Sequence, residues 1–99
     1  MSNTVWSVIK YKPKDGCEAL FLEAVGRLEE MKKDILDRKS NWISLESGEI
    51  VQISSHTSLD VMMDGQMTGL TWLDSVDHLL ERYDGDSRTQ AFSGFQMDM

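Results

Sequence analysis

With 99 residues the chain has the length of one domain, and we predict that residues 1–99 form a single domain. Its formal net charge of −7 argues against nucleic-acid binding, which requires clustered lysine and arginine to neutralise phosphates. No apolar stretch approaches the about 20 residues needed to cross a bilayer, so we expect no membrane segment.

The first half of the chain predicts a strand, a helix and a hairpin. Val5–Tyr11 is rich in β-branched and aromatic residues, as strands are. After a Pro-Lys-Asp-Gly turn, Asp15 and Glu18 suggest a capping box, and the apolar residues that follow recur every three or four positions. These are Phe21, Ala24, Val25, Leu28, Met31 and Ile35. The helix ends near Lys33, or continues with Lys32 extending out of the apolar stripe.

Two β-prone runs follow, at 42–46 and 49–57, and Ser47-Gly48 between them indicates a hairpin. In the next segment Leu59 and Met62 belong to one apolar face and Trp72 and Val76 to another, rotated away from it. Since Gly65 lies between the two faces, we predict a short helix, a break and a second helix of about 14 residues. A last strand is expected within 88–97.

The predicted order is strand, helix, strand, strand, helix, strand. This βαββαβ order indicates an α+β ferredoxin-like sandwich, with an antiparallel sheet and both helices on one of its faces. We expect the uncovered face to carry Trp42 and Ile50 among polar residues. Because a chain this short is marginal alone, we expect that face to be buried in a homodimer.

The chain resembles the antibiotic-biosynthesis-monooxygenase-like proteins of the dimeric α+β barrel superfamily. The similarity rests on the first strand running into KPKDG, on the helix that begins CEALFLEAV, and on the hairpin and acidic second helix. It extends over nearly the whole chain as a pattern and an order of elements, not as an invariant motif. The resemblance implies a sheet-paired dimer and, among known members, cofactor-free oxidation of aromatic polyketides, haem degradation or small-metabolite isomerisation.

For the haem-degrading branch of that superfamily, the resemblance would imply a site made of an asparagine on the first strand and a tryptophan and a histidine in the second half of the chain. The nearest residues here are Asn3, Trp72 and His78. Asn3 precedes the strand, and His78 projects from the face opposite Trp72. We therefore expect no haem, and no other cofactor.

His56 is the candidate general base, because it falls near the end of a strand on the face shared with Gln52 and Ser54. A histidine satisfied by a neighbouring backbone or carboxylate group explains the same residue equally simply. The two histidines lie far apart and no cysteine pair accompanies them, so we predict no metal site. Cys17, the only cysteine, cannot form an intrachain disulfide.

A reducing compartment is the expectation for a chain with one cysteine. Met1–Lys12 also lacks the positive start and apolar run of a signal peptide. We therefore expect a cytoplasmic location.

An apolar cavity is the remaining candidate site. Methionines supply flexible walls and aromatic residues add rigid surface with polar tips, although core packing accounts for the same residues. The predicted ligand-binding set is Tyr11, Met62, Met63, Met67, Trp72 and Tyr83. Two functions stay open: a ligand-binding or cofactor-independent monooxygenase-like domain for a small apolar or aromatic metabolite, and a non-catalytic dimeric sensor or interaction module.

Overall fold

The computed structural model describes residues 3–35 and 38–98, and within them it confirms the predicted order of elements. The strands are β1 (Val5–Tyr11), β2 (Arg38–Ser44), β3 (Ile50–His56) and β4 (Thr89–Phe95). The α-helices are α1 (Glu18–Met31), α2 (Leu59–Asp64) and α3 (Gln66–Val76). Short 3-10 turns at Asp77–Leu79 and Asp84–Asp86 lead into β4.

The four strands form one antiparallel sheet in the order β2-β3-β1-β4, which is the ferredoxin-like arrangement. Tyr11 lies opposite Ile50 on one side and Thr89 on the other. Crossovers through α1 and through α2–α3 place β1 and β3 at the centre of the sheet. In the described part of the chain, no helix has the length and apolarity needed to span a membrane.

Helix α1 packs on the sheet through its predicted stripe, and Phe21, Ala24 and Leu28 are buried. The helix ends at Met31, whose side chain is half exposed, and Lys32 is its C-cap. The capping-box prediction is wrong. The helix begins at Glu18 with Cys17 as N-cap and no side-chain cap bond, because Asp15 belongs to the preceding turn, where Gly16 has a φ of +82°.

Strand β2 begins earlier than predicted, at Arg38 instead of position 42, and its residues through Ser44 pair with β3. The stretch Arg38-Lys39-Ser40-Asn41 has no apolar alternation, so the strand signal of the sequence is weak there. Residues 45 and 46, predicted to end the strand, belong to the hairpin turn instead. In that turn the Leu45 amide donates to the Glu49 carbonyl at 2.9 Å. Gly48 has the positive φ, +90°, that this turn requires.

The predicted helix break is confirmed at Gly65, which is the C-cap of α2 and the N-cap of α3. A Cβ on Gly65 would lie 3.2 Å from Cδ1 of Ile35, so the glycine permits a close approach to the chain that follows α1. Helix α3 has 11 residues, fewer than the predicted 14 or so, because the backbone tightens to a 3-10 turn after Val76.

The prediction for the uncovered sheet face is wrong. Trp42 packs with the buried core beneath the helices, and Ile50 is part of that core. The register places Val8, Ile43, Ile53 and Phe92 together on the opposite face, which is the more apolar one. Alternation in β3 was misleading because its helix-facing residues after Ile50 are Gln52, Ser54 and His56, all polar and buried.

Candidate functional site

A cavity of about 410 Å³ lies between the helix-facing side of the sheet and helices α1, α2 and α3. Small side chains on three strands leave this space open: Ser7 on β1, Ser54 on β3, and Ala91 and Ser93 on β4. The α2–α3 segment contributes glycines above them. The volume falls within the range of small-molecule sites, about 300–1,000 Å³. Small residues at alternate strand positions are a signal in the sequence that indicates such a cavity, whereas the prediction above relied on methionines and aromatic residues.

The structure brings four of the predicted site residues together in the cavity wall: Tyr11, His56, Met62 and Trp72.

The other three predicted site residues lie outside the wall. Met63 and Met67 are exposed, with 54% and 73% of their surface accessible. Met63 lies about 100° around α2 from Met62, and Met67 lies beyond the break at Gly65, in α3. Tyr83 lies near the start of β3, where its hydroxyl donates to Glu49 at 2.6 Å. Lys12 lies over its ring. Burial and that hydrogen bond raise the pKa of Tyr83.

Packed aromatic rings form the rigid apolar part of the site. The rings of Tyr11, Phe21, Trp42 and Trp72 contact one another, with centroids 5.4–6.4 Å apart. The indole of Trp72 donates to the Ala24 carbonyl at 2.7 Å, which anchors α3 to α1. Offset and edge-to-face ring pairs of this kind stabilise beyond the area that they bury. The aromatic surface facing the cavity is therefore preorganised.

Polar groups continue from the aromatic cluster across the sheet. The Tyr11 hydroxyl donates to Gln52 Oε1 at 3.3 Å, and Gln52 Nε2 donates to Ser40 Oγ at 3.4 Å. Burial raises the pKa of the Tyr11 phenol, so this group stays protonated as a donor at neutral pH.

Glu29 on α1 is the junction of this network, and sequence reasoning missed it. Its carboxylate accepts from the Trp42 indole at 2.7 Å and from Arg38 Nη1 at 3.0 Å. Burial alone would raise the pKa of Glu29, but the hydrogen bonds from Trp42 and Arg38 outweigh it and lower that pKa. Glu29 is thus an anion at neutral pH, and two residues of β2 hold it. The sequence predicted Arg38 outside the strand and Trp42 on the uncovered face of the sheet.

His56 lies at the end of β3, directly opposite Arg38 on β2 and Val5 on β1. The side chain is buried, and its Nδ1 has no hydrogen-bond partner among the described residues. Burial lowers the pKa of His56, and the positive charges of Arg38 and Lys32 lower it further. At neutral pH the imidazole is therefore neutral and free to accept a proton. It also borders a second cavity, formed with the start of β1 and β2.

Lys32 also belongs to the cavity wall, and sequence reasoning did not assign it to the site. The sequence raised only the question of whether its side chain leaves the apolar stripe. Helix α1 ends at Met31, one residue before Lys32, so the aliphatic part of the Lys32 side chain extends toward the α2–α3 junction instead of back along α1. Burial lowers the pKa of Lys32, Arg38 lowers it further, and Glu29 opposes both.

Among residues 3–35 and 38–98, no group of three or more His, Cys, Asp or Glu side chains is placed to hold a metal ion. The chemistry of the wall is that of hydroxyl, amide, imidazole and ammonium groups beside aromatic rings.

No protein-family model and no curated protein sequence matches the chain. Solved structures do. A candidate antibiotic biosynthesis monooxygenase from Nitrosomonas europaea superposes with a TM-score of 0.81 at 11% identity, covering 98% of this chain and 93% of that one. A candidate of the same class from Caulobacter crescentus gives 0.82 at 10% identity, covering 98% and 92%.

SnoaB from Streptomyces nogalater, a cofactor-independent oxygenase, gives a TM-score of 0.79 at 12% identity, covering 99% of this chain and 97% of that one. These similarities extend over the whole chain. They show that it has the ferredoxin-like fold of the antibiotic-biosynthesis-monooxygenase-like proteins, as the sequence resemblance indicated. Identities this low establish the fold, and activity must be argued from the site.

Proposed function

We propose that the protein is a small-molecule-binding, cofactor-independent monooxygenase-like domain that acts on a small aromatic metabolite. One observation carries the proposal: the cavity joins a fixed aromatic surface to a buried histidine with an unpartnered ring nitrogen. The aromatic side would bind and orient the substrate rings. The histidine would supply the base, and the fold shared with a cofactor-independent oxygenase supports this chemistry.

The reaction that fits this site begins at a methylene carbon flanked by aromatic rings. His56 would remove one proton, and the resulting carbanion would add molecular oxygen to give a peroxide anion. The protonated His56 would return its proton to that anion, which completes the hydroperoxide and restores the base. Loss of water would then leave a carbonyl group. The substrate thus exchanges two hydrogens for one oxygen atom, the second oxygen atom leaves as water, and O2 is the only oxidant. The Tyr11 hydroxyl, whose one hydrogen is donated to Gln52, would accept a hydrogen bond from a substrate hydroxyl group.

The functional unit in this proposal is a homodimer. Ile43 and Phe92 on the uncovered sheet face are 45% and 66% exposed in the single chain, and Val8 and Ile53 lie beside them. A contiguous apolar patch of this kind marks an interaction surface. Pairing two sheets through it would also supply the burial that a 99-residue chain lacks alone.

We place this activity in the cytoplasm. Cys17 is a free cysteine, which suits a reducing compartment.

A non-catalytic dimeric sensor or interaction module is the second candidate. The observation that favours it is the exposure of Met63, Met67 and Leu70 on the segment that covers the cavity. Exposed methionines adapt to varied partner surfaces. In this case a ligand in the cavity would alter the covering segment, and no substrate would be turned over.

The test combines a melting screen with oxygen uptake, using hydroxylated and methylene-bridged aromatic compounds. A bound compound should raise Tm, because one at a hundredfold excess over its Kd stabilises the fold by about 2.7 kcal/mol. It should also quench tryptophan fluorescence, in part through Trp72, and a Trp72→Phe variant identifies that part.

Turnover separates the two candidate functions. His56→Gln should keep binding and lower oxygen uptake by about 100-fold or more. His78→Gln, which changes an exposed histidine outside the cavity, is the matched control and should keep full activity. Binding without oxygen uptake would support a ligand-dependent sensor, and a screen without any binding would refute the monooxygenase and leave the interaction module.

A further inference from the structure

The electrostatic character of the cavity differs from that of the whole chain. The protein has 17 acidic residues and 10 lysines and arginines. None of the described residues that line the cavity is Asp or Glu, whereas Lys32 and His56 both belong to its wall. An acidic protein thus contains a binding cavity whose only formal charge is positive.

Lys32 is held in place by the α2–α3 junction. Its Nζ lies 3.5 Å from the position that a Cβ would take on Gly69, and 3.6 Å from the corresponding position on Gly65. Side chains at these two positions would occupy the space beside the ammonium group. The glycines, one helical turn apart, therefore leave room for Lys32 to reach the cavity.

The ammonium group of Lys32 forms no ion pair or hydrogen bond with a carboxylate of the described chain. The nearby carboxylate is Glu29, and it is already engaged by Arg38 and Trp42. Arg38 in turn carries a buried guanidinium with two nitrogens, Nε and Nη2, that have no partner. A partly buried cation without a counter-ion costs stability, and a ligand with a negative charge would offset that cost.

We propose that the ligand of the cavity is a small aromatic acid, whose carboxylate binds Lys32 while its rings lie against Trp72. This inference rests on the proposed binding site and specifies its ligand class. The spacing suits it: Gly69 and Trp72 are three residues apart on α3, about 4.5 Å along the helix axis. This distance is similar to the distance between the carboxylate group of an aromatic acid and the ring that carries it. Arg38 lies opposite His56 on the neighbouring strand and outside the cavity wall, so it adds to the positive potential without contacting the ligand.

The experiment compares 2-naphthoate with 2-naphthamide, which has the same shape and no charge. Isothermal titration at low salt measures both Kd values for the wild type, for Lys32→Met and for Lys33→Met. Lys33 is the matched control because it is the next lysine in the chain and is exposed, paired with Glu30 on the surface. Circular dichroism and a melting curve establish that each variant is folded before it is titrated.

Wild type and Lys33→Met should bind the naphthoate at least about tenfold more tightly than the amide, as a charge-assisted hydrogen bond would require. Lys32→Met should lose that preference and keep its affinity for the amide. Equal Kd values for acid and amide in the wild type would overturn the acid proposal while leaving the binding site intact. Failure of both probes to bind any folded variant would overturn the acid proposal together with the site. A preference that survives in Lys32→Met would assign the charge recognition to another residue and also overturn it.

Discussion

Replacing Glu29 with glutamine tests whether the Glu29–Arg38–Trp42 cluster holds helix α1 on strand β2. Arg38 has only 7% of its side chain exposed, and Glu29 is the carboxylate that pairs with it. Removing one partner of a fully buried pair costs about 3–5 kcal/mol. Because the Glu29 side chain is 33% exposed, water screens part of that cost, and we expect a loss of about 2–3 kcal/mol.

Urea unfolding at pH 7, at one protein concentration, measures this loss as a change in the free energy of unfolding. Glu30→Gln is the control, because the Glu30–Lys33 pair is exposed and should be worth less than about 1 kcal/mol. Combining Glu29→Gln with Arg38→Met should recover part of the loss, since no unpaired buried charge then remains. A cost for Glu29→Gln no larger than that of Glu30→Gln would refute the reasoning.

Three further predictions follow from the site and the sheet. Lys32→Met removes a partly buried cation that has no carboxylate partner among the described residues, so it should raise the free energy of unfolding in urea. A loss would show that the ammonium group stabilises the fold. The pKa of His56 is lowered in the folded state, so protonation of this histidine favours the unfolded chain. The contribution of neutral His56 to the free energy of unfolding is therefore complete above the unfolded pKa of about 6.5 and is lost as the pH falls toward the folded pKa. The stability of the wild type relative to His56→Gln should therefore decline below pH 6.5 or so, by at most about 1.4 kcal/mol per pH unit, and a constant difference would exclude the lowered pKa. If the proposed sheet-paired dimer forms, light scattering should give twice the chain mass for the wild type and the single-chain mass for Phe92→Asp, and a wild-type monomer at micromolar concentration would refute that dimer.

The fold was accessible from the sequence because its apolar residues repeat with the period of the element that they belong to. The apolar stripe of α1 and the β-branched and aromatic composition of β1 are local features of the sequence. The break at Gly65 was equally local, since two apolar faces out of phase cannot share one straight helix.

The site was only partly accessible, for two physical reasons. Strand β2 and the helix-facing side of β3 are polar where they border the site, so the apolar pattern that reveals a strand and its inner face is missing there. The pairing of Arg38 with Glu29 and its position opposite His56 depend on strand register and on where α1 ends, neither of which local spacing determines. Met62 lines the cavity, whereas Met63 and Met67 are exposed. The break at Gly65 changes the rotation of α3, which carries Met67, by an amount that the sequence does not specify.

The central claim is that an aromatic ligand occupies the cavity, and the indole N–H signals of the three tryptophans test it most directly. Trp72 lies in the cavity wall, whereas Trp6 lies on the other side of the sheet with its indole bonded to Gln96 at 2.9 Å. In nitrogen–proton NMR spectra assigned with single Trp→Phe variants, titration with 2-naphthoate should shift the Trp72 signal to saturation and leave that of Trp6 in place. A Trp72 signal that stays fixed while the ligand binds, or a shift confined to Trp6, would contradict the account.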